Sequence, residues 1–150
     1  MEPVTIITAA LAAGAAAALK STAEQAIKDA YAGFKVLIQR KYGIASVEAL
    51  EQKPDSEAKR TSVTEDLTDA GAGDDQELLD QAKALLDAVK AHDRAAAAKI
   101  NINLDEIEAA YFKLKDAAAE GDVNIGVKKG TFSGGIDMEG LTAGTPGKKP

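Results

Sequence analysis

The first apolar stretch of the chain runs from Pro3 to Leu19 and contains no charged residue, with Glu2 before it and Lys20 after it. It is rich in alanine, the strongest helix former, so the pattern predicts a helix of about 25 Å at roughly 1.5 Å per residue. Because the stretch is apolar on every side, such a helix must be enclosed by protein or by lipid. Its length falls just short of the roughly 30 Å hydrocarbon core of a bilayer. The sequence therefore favours either the buried central helix of a small bundle or a membrane helix.

Residues Ser21–Tyr42 predict a long amphipathic helix. Ser21–Glu24 has the form of a capping box, in which a hydroxyl and a glutamate three residues later satisfy free backbone N–H groups. Gly43 is expected to end the helix because glycine readily takes the left-handed conformation. Apolar residues recur at intervals of three and four, as one face of a helix requires: Ala23, Ala26, Ile27, Ala30, Tyr31, Phe34, Leu37 and Ile38.

Three shorter amphipathic segments complete a predicted bundle over residues 1–99. They are Ile44–Gln52, Asp55–Asp69 and a helix that opens at Asp74–Glu77 with a second capping-box pattern. Arg94–Lys99 is expected to be a further helical turn or a linker. The expected core positions are Ile44, Val47, Leu50, Ala58, Val63, Leu67, Ala70, Leu78, Leu79, Ala82, Leu85, Leu86 and Val89.

The pattern changes after residue 99. Residues 100–120 form a connector in which helical spacing and strand-like alternation coexist, so both structures stay open. Residues 121–144 alternate between glycines, which predicts short strands and tight turns. A weak repeat at an offset of 24 residues, Phe112–Glu120 over Ile136–Gly144, would let two such units stack. The expected assembly positions are Val123, Ile125, Val127, Gly134, Gly135, Ile136, Met138, Gly140 and Leu141. The alternative is a Gly-rich tail without stable structure, which is also our expectation for residues 145–150.

Composition and charge narrow the range of functions. The chain has 150 residues and a net charge of −6, which argues against nucleic acid as a partner. It contains no cysteine and a single histidine, His92, which we expect to lie on the surface. The sequence offers no nucleophile–base pair, phosphate loop or metal cluster, so we expect no enzyme activity and no cofactor. The only charged side chain before the apolar stretch is that of Glu2, whereas a secretory signal needs basic residues there, so we do not expect a cleaved signal.

Together these features predict a mainly α fold, a small helical bundle with an N-terminal apolar helix, followed by a short Gly-rich, β-prone motif. This architecture resembles the bacterial Bell domain proteins, counterparts of the fungal HeLo-type cell-death effectors. The resemblance covers the bundle from the opening Glu2–Ile7 to about Val89. In the C-terminal part, Gly121–Ile125 and Ser133–Gly140 are similar to a bacterial amyloid signalling motif.

The resemblance implies a mechanism of antiphage cell death. The bundle would be cytoplasmic at rest, with its N-terminal helix sheltered. A motif-bearing receptor, often an NTPase, would template the C-terminal motif, and the chains would form a homo-oligomer. The released helix would then meet lipid and permeabilise the cell membrane. Its implied inserting residues are Val4, Ile6, Ile7, Leu11, Gly14 and Leu19. One departure is that Ala110–Glu120 is rich in alanine where a strong strand would carry β-branched residues.

Two other classes of function are compatible with the same residues. A non-lytic adaptor or scaffold would use the bundle as a binding module and the C-terminal motif to join a signalling complex. A structural filament protein would use the C-terminal motif alone. The charge-free opening stretch is the feature that discriminates between these classes: an adaptor gains nothing from it, although a buried helix explains it equally well.

Overall fold

A computed structural model of the chain describes residues 1–125, with side chains to residue 118. The described residues form seven α-helices and a 3₁₀ turn, as the mainly α prediction requires. The chain divides into two compact units, Met1–Tyr111 and Phe112–Pro150, and the second is described only as the later part of one helix. The elements are α1 (Pro3–Ala18), α2 (Gln25–Tyr42), α3 (Ser46–Gln52), α4 (Glu57–Asp69), the 3₁₀ turn (Ala72–Asp74), α5 (Gln76–His92), α6 (Arg94–Lys99) and α7 (Leu104–Ile125).

The first unit is a bundle built around α1. This helix contacts α2, α3, α4, α5, α6 and the 3₁₀ turn, so it occupies the centre. Pro3 stands in its first turn, where the missing proline N–H removes no helical hydrogen bond. The predicted central helix of a bundle is therefore confirmed for the described structure.

Helix α2 begins later than predicted. The Ser21–Glu24 capping box does not form, and the first helical residue is Gln25, with Glu24 extended and making no side-chain cap. The chain instead turns between the helices, where the Ala23 N–H donates to the carbonyl of Lys20. Because α1 and α2 pack on each other, these residues must reverse the chain and cannot extend the helix.

The end of α2 and most of its buried face agree with prediction. Gly43 takes a left-handed conformation (φ 61°), and its N–H donates to the carbonyls of Ile38 and Gln39. The large apolar residues of the predicted face are buried, whereas Ala26 is exposed. The buried members of the face are Ile27, Tyr31, Phe34, Leu37 and Ile38.

Helices α3 and α4 form, but α4 buries less of itself than predicted. Val47 and Leu50 of α3 are buried, and so is Ile44, which precedes the helix. In α4, Val63 and Leu67 are buried, whereas the predicted core residues Ala58 and Ala70 are exposed. Helix α4 contacts both α1 and α3, and the two buried residues in its middle and second half are its core positions. The N-terminus is capped by Ser56, whose hydroxyl accepts from the Lys59 N–H.

Helix α5 has the buried stripe that its periodicity predicts, at all six positions from Leu78 to Val89. Its cap differs from prediction. Asp75 is the N-cap and accepts from the Leu78 N–H, so the third helical residue is a leucine and the reciprocal half of a capping box is missing. Asp75 also accepts from the Tyr42 hydroxyl and the Lys41 ammonium, which ties α5 to the end of α2.

Two segments whose structure the sequence left open, 94–99 and 104–119, are both helical. Arg94–Lys99 is α6, capped by the Asp93 carboxylate, which accepts from the Ala96 N–H. Asn101 takes a left-handed conformation (φ 64°) where the chain turns into α7. Helix α7 runs to Ile125, so residues 122–125, predicted as a strand, are helical. The alanines before them favour continued helix over a new strand. Residues 126–144 of the predicted β-prone motif lie outside the described residues.

Candidate functional site

The enclosed helix α1 is the candidate functional element of the chain. Thirteen of its sixteen residues are buried. Five of the six residues predicted to insert into a membrane lie among them: Val4, Ile6, Ile7, Leu11 and Gly14. The sixth, Leu19, follows the last helical residue and leaves 56% of its surface exposed. The structure thus brings the first five together in the core and separates Leu19 from them.

Gly14 marks the closest approach of α1 to its neighbours. A Cβ atom built on it would lie 2.7 Å from Cδ2 of Leu85 and 2.9 Å from Cδ1 of Tyr31. Both distances are shorter than carbon atoms tolerate, so α5 and α2 approach the backbone of α1 itself here. The glycine in the apolar stretch is therefore a packing requirement of the bundle.

The side chain of Tyr31, which packs against Gly14, is held in place by a hydrogen bond. Tyr31 is buried, and its hydroxyl donates to Oε2 of Glu51 on α3 at 2.6 Å. The same oxygen accepts from the Lys35 ammonium at 2.8 Å. Burial, together with the hydrogen bond to Glu51 and its negative charge, raises the pKa of Tyr31 far above that of a free tyrosine. The arrangement fixes the ring against Gly14 and joins α2 to α3.

The one buried polar side chain of α1 makes a specific contact. Thr8 is 4% exposed, and its hydroxyl lies 2.9 Å from that of Thr64 on α4. Thr64 donates its own proton to the carbonyl of Arg60, so Thr8 is the donor in the shared hydrogen bond. A buried hydroxyl needs such a partner, and this one holds α4 in register with α1.

An ion pair fixes the C-terminal end of α1. The Lys20 ammonium lies 2.8 Å from Oδ2 of Asp93, the residue that caps α6. The hydrogen bond from Lys20 outweighs partial burial and lowers the pKa of Asp93. The end of α1 and the start of α6 are thus joined through one carboxylate.

One side of α1 can be reached from solvent. A cleft of about 580 Å³ lies between the N-terminal half of α1 and the first half of α4. Thr5, the one residue within α1 that is classed as exposed, lines it with Thr8 and Ala9. The α4 side contributes Arg60 and several carboxylates. A side chain substituted at Thr5 would therefore meet solvent, whereas one at the enclosed positions of α1 would meet the core.

Two further properties bear on function. Within the described residues, no helix combines the length and the hydropathy that crossing a bilayer requires. The same part of the chain holds no group of three side chains placed to bind a metal ion. His92 is the exposed last residue of α5, as the sequence predicts.

The predicted assembly residues fall at or beyond the limit of the described structure. Val123 and Ile125 lie on the last turn of α7. The remaining seven lie outside the described residues: Val127, Gly134, Gly135, Ile136, Met138, Gly140 and Leu141.

The polar contacts around α1 were not found from the sequence. The partners Thr8 and Thr64 are 56 residues apart, and Lys20 and Asp93 are 73 apart. One signal was available, because Thr8 is a hydroxyl within a stretch that periodicity assigns to a core. Such a residue needs a partner, but only the folded chain identifies it.

Comparison with known families agrees with this architecture. The family model described as the Het-E N-terminal domain matches residues 1–132, which include all seven helices. The match also continues past the boundaries expected at residues 99 and 120. No curated protein and no solved structure matches the chain. The HeLo-like part of the resemblance is confirmed, while the Bell assignment and the amyloid motif stay predictions. A central apolar N-terminal helix in a bundle that this model covers almost completely places the chain in the Het-E N-terminal domain family, a HeLo-like family of cell-death domains.

Proposed function

We propose that the chain is a cell-death effector in bacterial immunity, in which release of α1 from the bundle permeabilises the cell membrane. The observation that carries the proposal is the position of α1. Among the described helices, the most apolar is also the most enclosed, and it is retained by packing and by a few polar contacts. In this proposal the chain is cytoplasmic at rest, has no catalytic step and does not bind nucleic acid.

The free energy needed to release α1 can be estimated from its buried side chains. Four large aliphatic side chains, Val4, Ile6, Ile7 and Leu11, are buried, and each stabilises the bundle by about 2 kcal/mol. Exposing them to water would cost about 8 kcal/mol, which is comparable to the whole stability of a typical domain. Release of α1 therefore requires another apolar environment, and lipid or further copies of α1 would supply it.

The C-terminal segment is the proposed trigger. Residues 121–144 would be templated by a matching motif on a receptor, often an NTPase, and the chains would assemble as a homo-oligomer. Assembly brings many copies of α1 to one place on the membrane. A helix of 16 residues is about 24 Å long, so insertion would also require local thinning of a bilayer core of roughly 30 Å.

The structure indicates where a charge tests membrane insertion without disturbing the fold. A charge at Leu11 or Gly14 would unfold the bundle, because both positions are enclosed. Thr5 is exposed and lies in the first turn of α1, where an aspartate interacts favourably with the helix dipole. In lipid the same carboxylate is unfavourable, by about 3 kcal/mol at the centre of a membrane helix and by less toward its ends.

The experiment is leakage of dye from phosphatidylethanolamine/phosphatidylglycerol vesicles, with the full chain seeded by fibres of a peptide spanning 121–144. Thr5→Asp should fold like the wild type and release dye more slowly, since insertion of α1 would bring the carboxylate to the membrane. The matched control is Ala32→Asp, which places the same charge on an exposed site of α2 and should leak normally. Full leakage by folded Thr5→Asp would refute insertion of α1.

A non-lytic adaptor is the second candidate. It is favoured by the finding that no described helix has the length and hydropathy to cross a bilayer. In that case the seeded wild type would assemble without any leakage, and α1 would remain protected from hydrogen exchange. Deleting residues 121–150 tests the role of the segment in either case, because the bundle should stay folded and assembly should be lost.

A further inference from the structure

We propose that the outer face of α2 pairs with the same face of a second copy of the chain, in antiparallel orientation, when chains are held close together. The inference rests on the proposed function only for the assembly that brings the chains together. It names a contact between bundles that is distinct from the C-terminal segment. Helix α2 packs on α1 and α5 with its inner face, so its outer face lies on the surface of the bundle.

Four residues form a line along the outer face of α2. All four are exposed, at intervals of four, three and four residues: Asp29, Gly33, Val36 and Arg40. This spacing is that of the seam between two packed helices. Lys28 and Ala32 are exposed as well, but they lie to one side of the line. The outer face of α2 therefore presents a seam to which no described helix is packed.

The two central residues of the seam are suited to a close helix contact. Val36 leaves 58% of its surface exposed, the largest fraction among the large apolar side chains of the described residues. A Cβ built on Gly33 would meet nothing within 4 Å, so the packing of the bundle itself does not require a glycine there. Glycine weakens a helix relative to alanine, but it lets another helix approach the backbone. An apolar side chain thus stands next to an open stretch of backbone.

The two ends of the seam carry opposite charges. The Asp29 carboxylate accepts a hydrogen bond from the Gln25 amide at 2.8 Å. The Arg40 guanidinium has no acidic partner within the described part of the chain. The two charges lie about 16 Å apart along the helix, so they cannot pair with each other. Both are therefore placed to meet a charge on another molecule.

The seam is complementary to itself in the antiparallel orientation. A twofold axis between residues 34 and 35 sets Asp29 opposite Arg40 of the second copy, and Gly33 opposite Val36 of the second copy. Each contact then occurs twice, as in any interface between identical surfaces. A parallel pairing would instead place like charges opposite each other at both ends. Charge complementarity therefore selects both the partner, a second copy, and its orientation.

The small size of the contact determines when it forms. A seam of this length falls well short of the roughly 20–30 residues a side of a stable interface, so free chains should pair only near millimolar concentration. Chains held on a common assembly reach an effective concentration of that order. Because α2 packs directly on α1, pairing would fix two enclosed α1 helices relative to each other before either is released.

Nuclear magnetic resonance of the unseeded full chain, without membranes, tests the pairing between about 0.05 mM and about 1 mM protein. In the wild type, amide signals along the outer face of α2 should shift with concentration, while those of α4 stay fixed. Arg40→Asp and Asp29→Arg each bring like charges together, so each alone should weaken association about tenfold or more and remove the shift. Lys28→Asp is the matched control, because it changes the charge of α2 equally but lies off the seam.

The two single variants also test each other. Arg40→Asp makes the seam acidic and Asp29→Arg makes it basic, so an equimolar mixture should regain the shift that each variant lacks alone. The double variant Asp29→Arg/Arg40→Asp restores opposite charges within one chain and should pair like the wild type. If a single variant does not fold, the double variant and the wild-type series decide.

The outcomes separate the pairing from the proposed function. Fixed α2 signals in the wild type would overturn the pairing. So would a shift that survives in either single variant alone, or a mixture that gains nothing over its components. If the pairing is found and seeded chains release no dye, the pairing stands and membrane permeabilisation fails. If seeded chains release dye and the wild type shows no pairing, only the pairing fails.

Discussion

A single added methyl group at Gly14 measures how closely the bundle encloses α1. In Gly14→Ala, the new Cβ would lie 2.7 Å from Leu85 and 2.9 Å from Tyr31. Leu85 is completely buried, and the Tyr31 ring is held by its hydrogen bond to Glu51, so neither side chain can move away freely. Overpacking of this kind costs about 1–3 kcal/mol. Alanine regains about 1 kcal/mol through helix propensity. We expect a net loss of about 1 kcal/mol in the free energy of unfolding.

The chain contains a matched control for helix propensity. Gly33 lies within α2, and a Cβ built on it would meet nothing within 4 Å. Gly33→Ala should therefore stabilise the protein by about 0.4–1 kcal/mol. Urea unfolding followed by circular dichroism at 222 nm should place the two variants on opposite sides of the wild type.

The double variant Gly14→Ala/Leu85→Val tests the mechanism of the loss. Valine lacks the δ-carbons that the new methyl would meet, so the alanine should be tolerated better in this background. The expected coupling is about 1 kcal/mol, in the range seen for residues in contact. The reasoning would be refuted if Gly14→Ala were as stable as Gly33→Ala, or if the two substitutions were additive.

Three further predictions concern the polar contacts. Tyr31→Phe keeps the ring and removes the bond to Glu51, so it should lower the free energy of unfolding by about 1–2 kcal/mol in urea; an unchanged midpoint would mean that Glu51 does not hold the ring. The hydrogen bond from Lys20 lowers the pKa of Asp93, so its contribution to stability is complete above about pH 4 and is lost as the pH falls through the folded value. Asp93→Asn should flatten that acid loss, while Asp69→Asn, at the exposed end of α4, should change it less. Burial and the carboxylates of Asp80 and Asp87 raise the pKa of Tyr111, beside Lys83, to about 12. Its contribution is therefore complete below about pH 10 and is lost as the pH rises through 12, and the 295 nm absorbance that disappears in Tyr111→Phe should titrate near 12 rather than near 10.

The parts of the fold that the sequence predicted are those that depend on local periodicity. The stripe of α5 from Leu78 to Val89 is buried at every predicted position, because a strongly amphipathic helix has only one apolar face to bury. The end of α2 at Gly43 could also be predicted, because it depends on the local conformation of one glycine. Alanine carries a weaker signal, since it suits exposed and buried sites alike. That is why Ala58 and Ala70 were assigned to a core that they do not join.

The features of the fold that the sequence did not predict depend on how the helices pack against one another. The start of α2 is set by the reversal of the chain after α1, so a capping pattern at Ser21 is overridden. The alternating residues 122–125 are helical because α7 continues through them. At the candidate site, the enclosure of α1 could be predicted, because the stretch carries no charged residue. The partners Thr64, Glu51 and Asp93 are brought to it by other helices, and no spacing along the chain encodes them.

The alanine content of α1 has opposite consequences in the bundle and in lipid. In the bundle, small side chains let α2 and α5 approach the backbone at Gly14, and larger ones would not fit. In lipid, the same small side chains make α1 only weakly hydrophobic. The enclosed state therefore limits how strongly α1 can favour a membrane, and its own sequence cannot drive its release. Under the proposed function that drive comes from assembly, which collects many weak helices at one place.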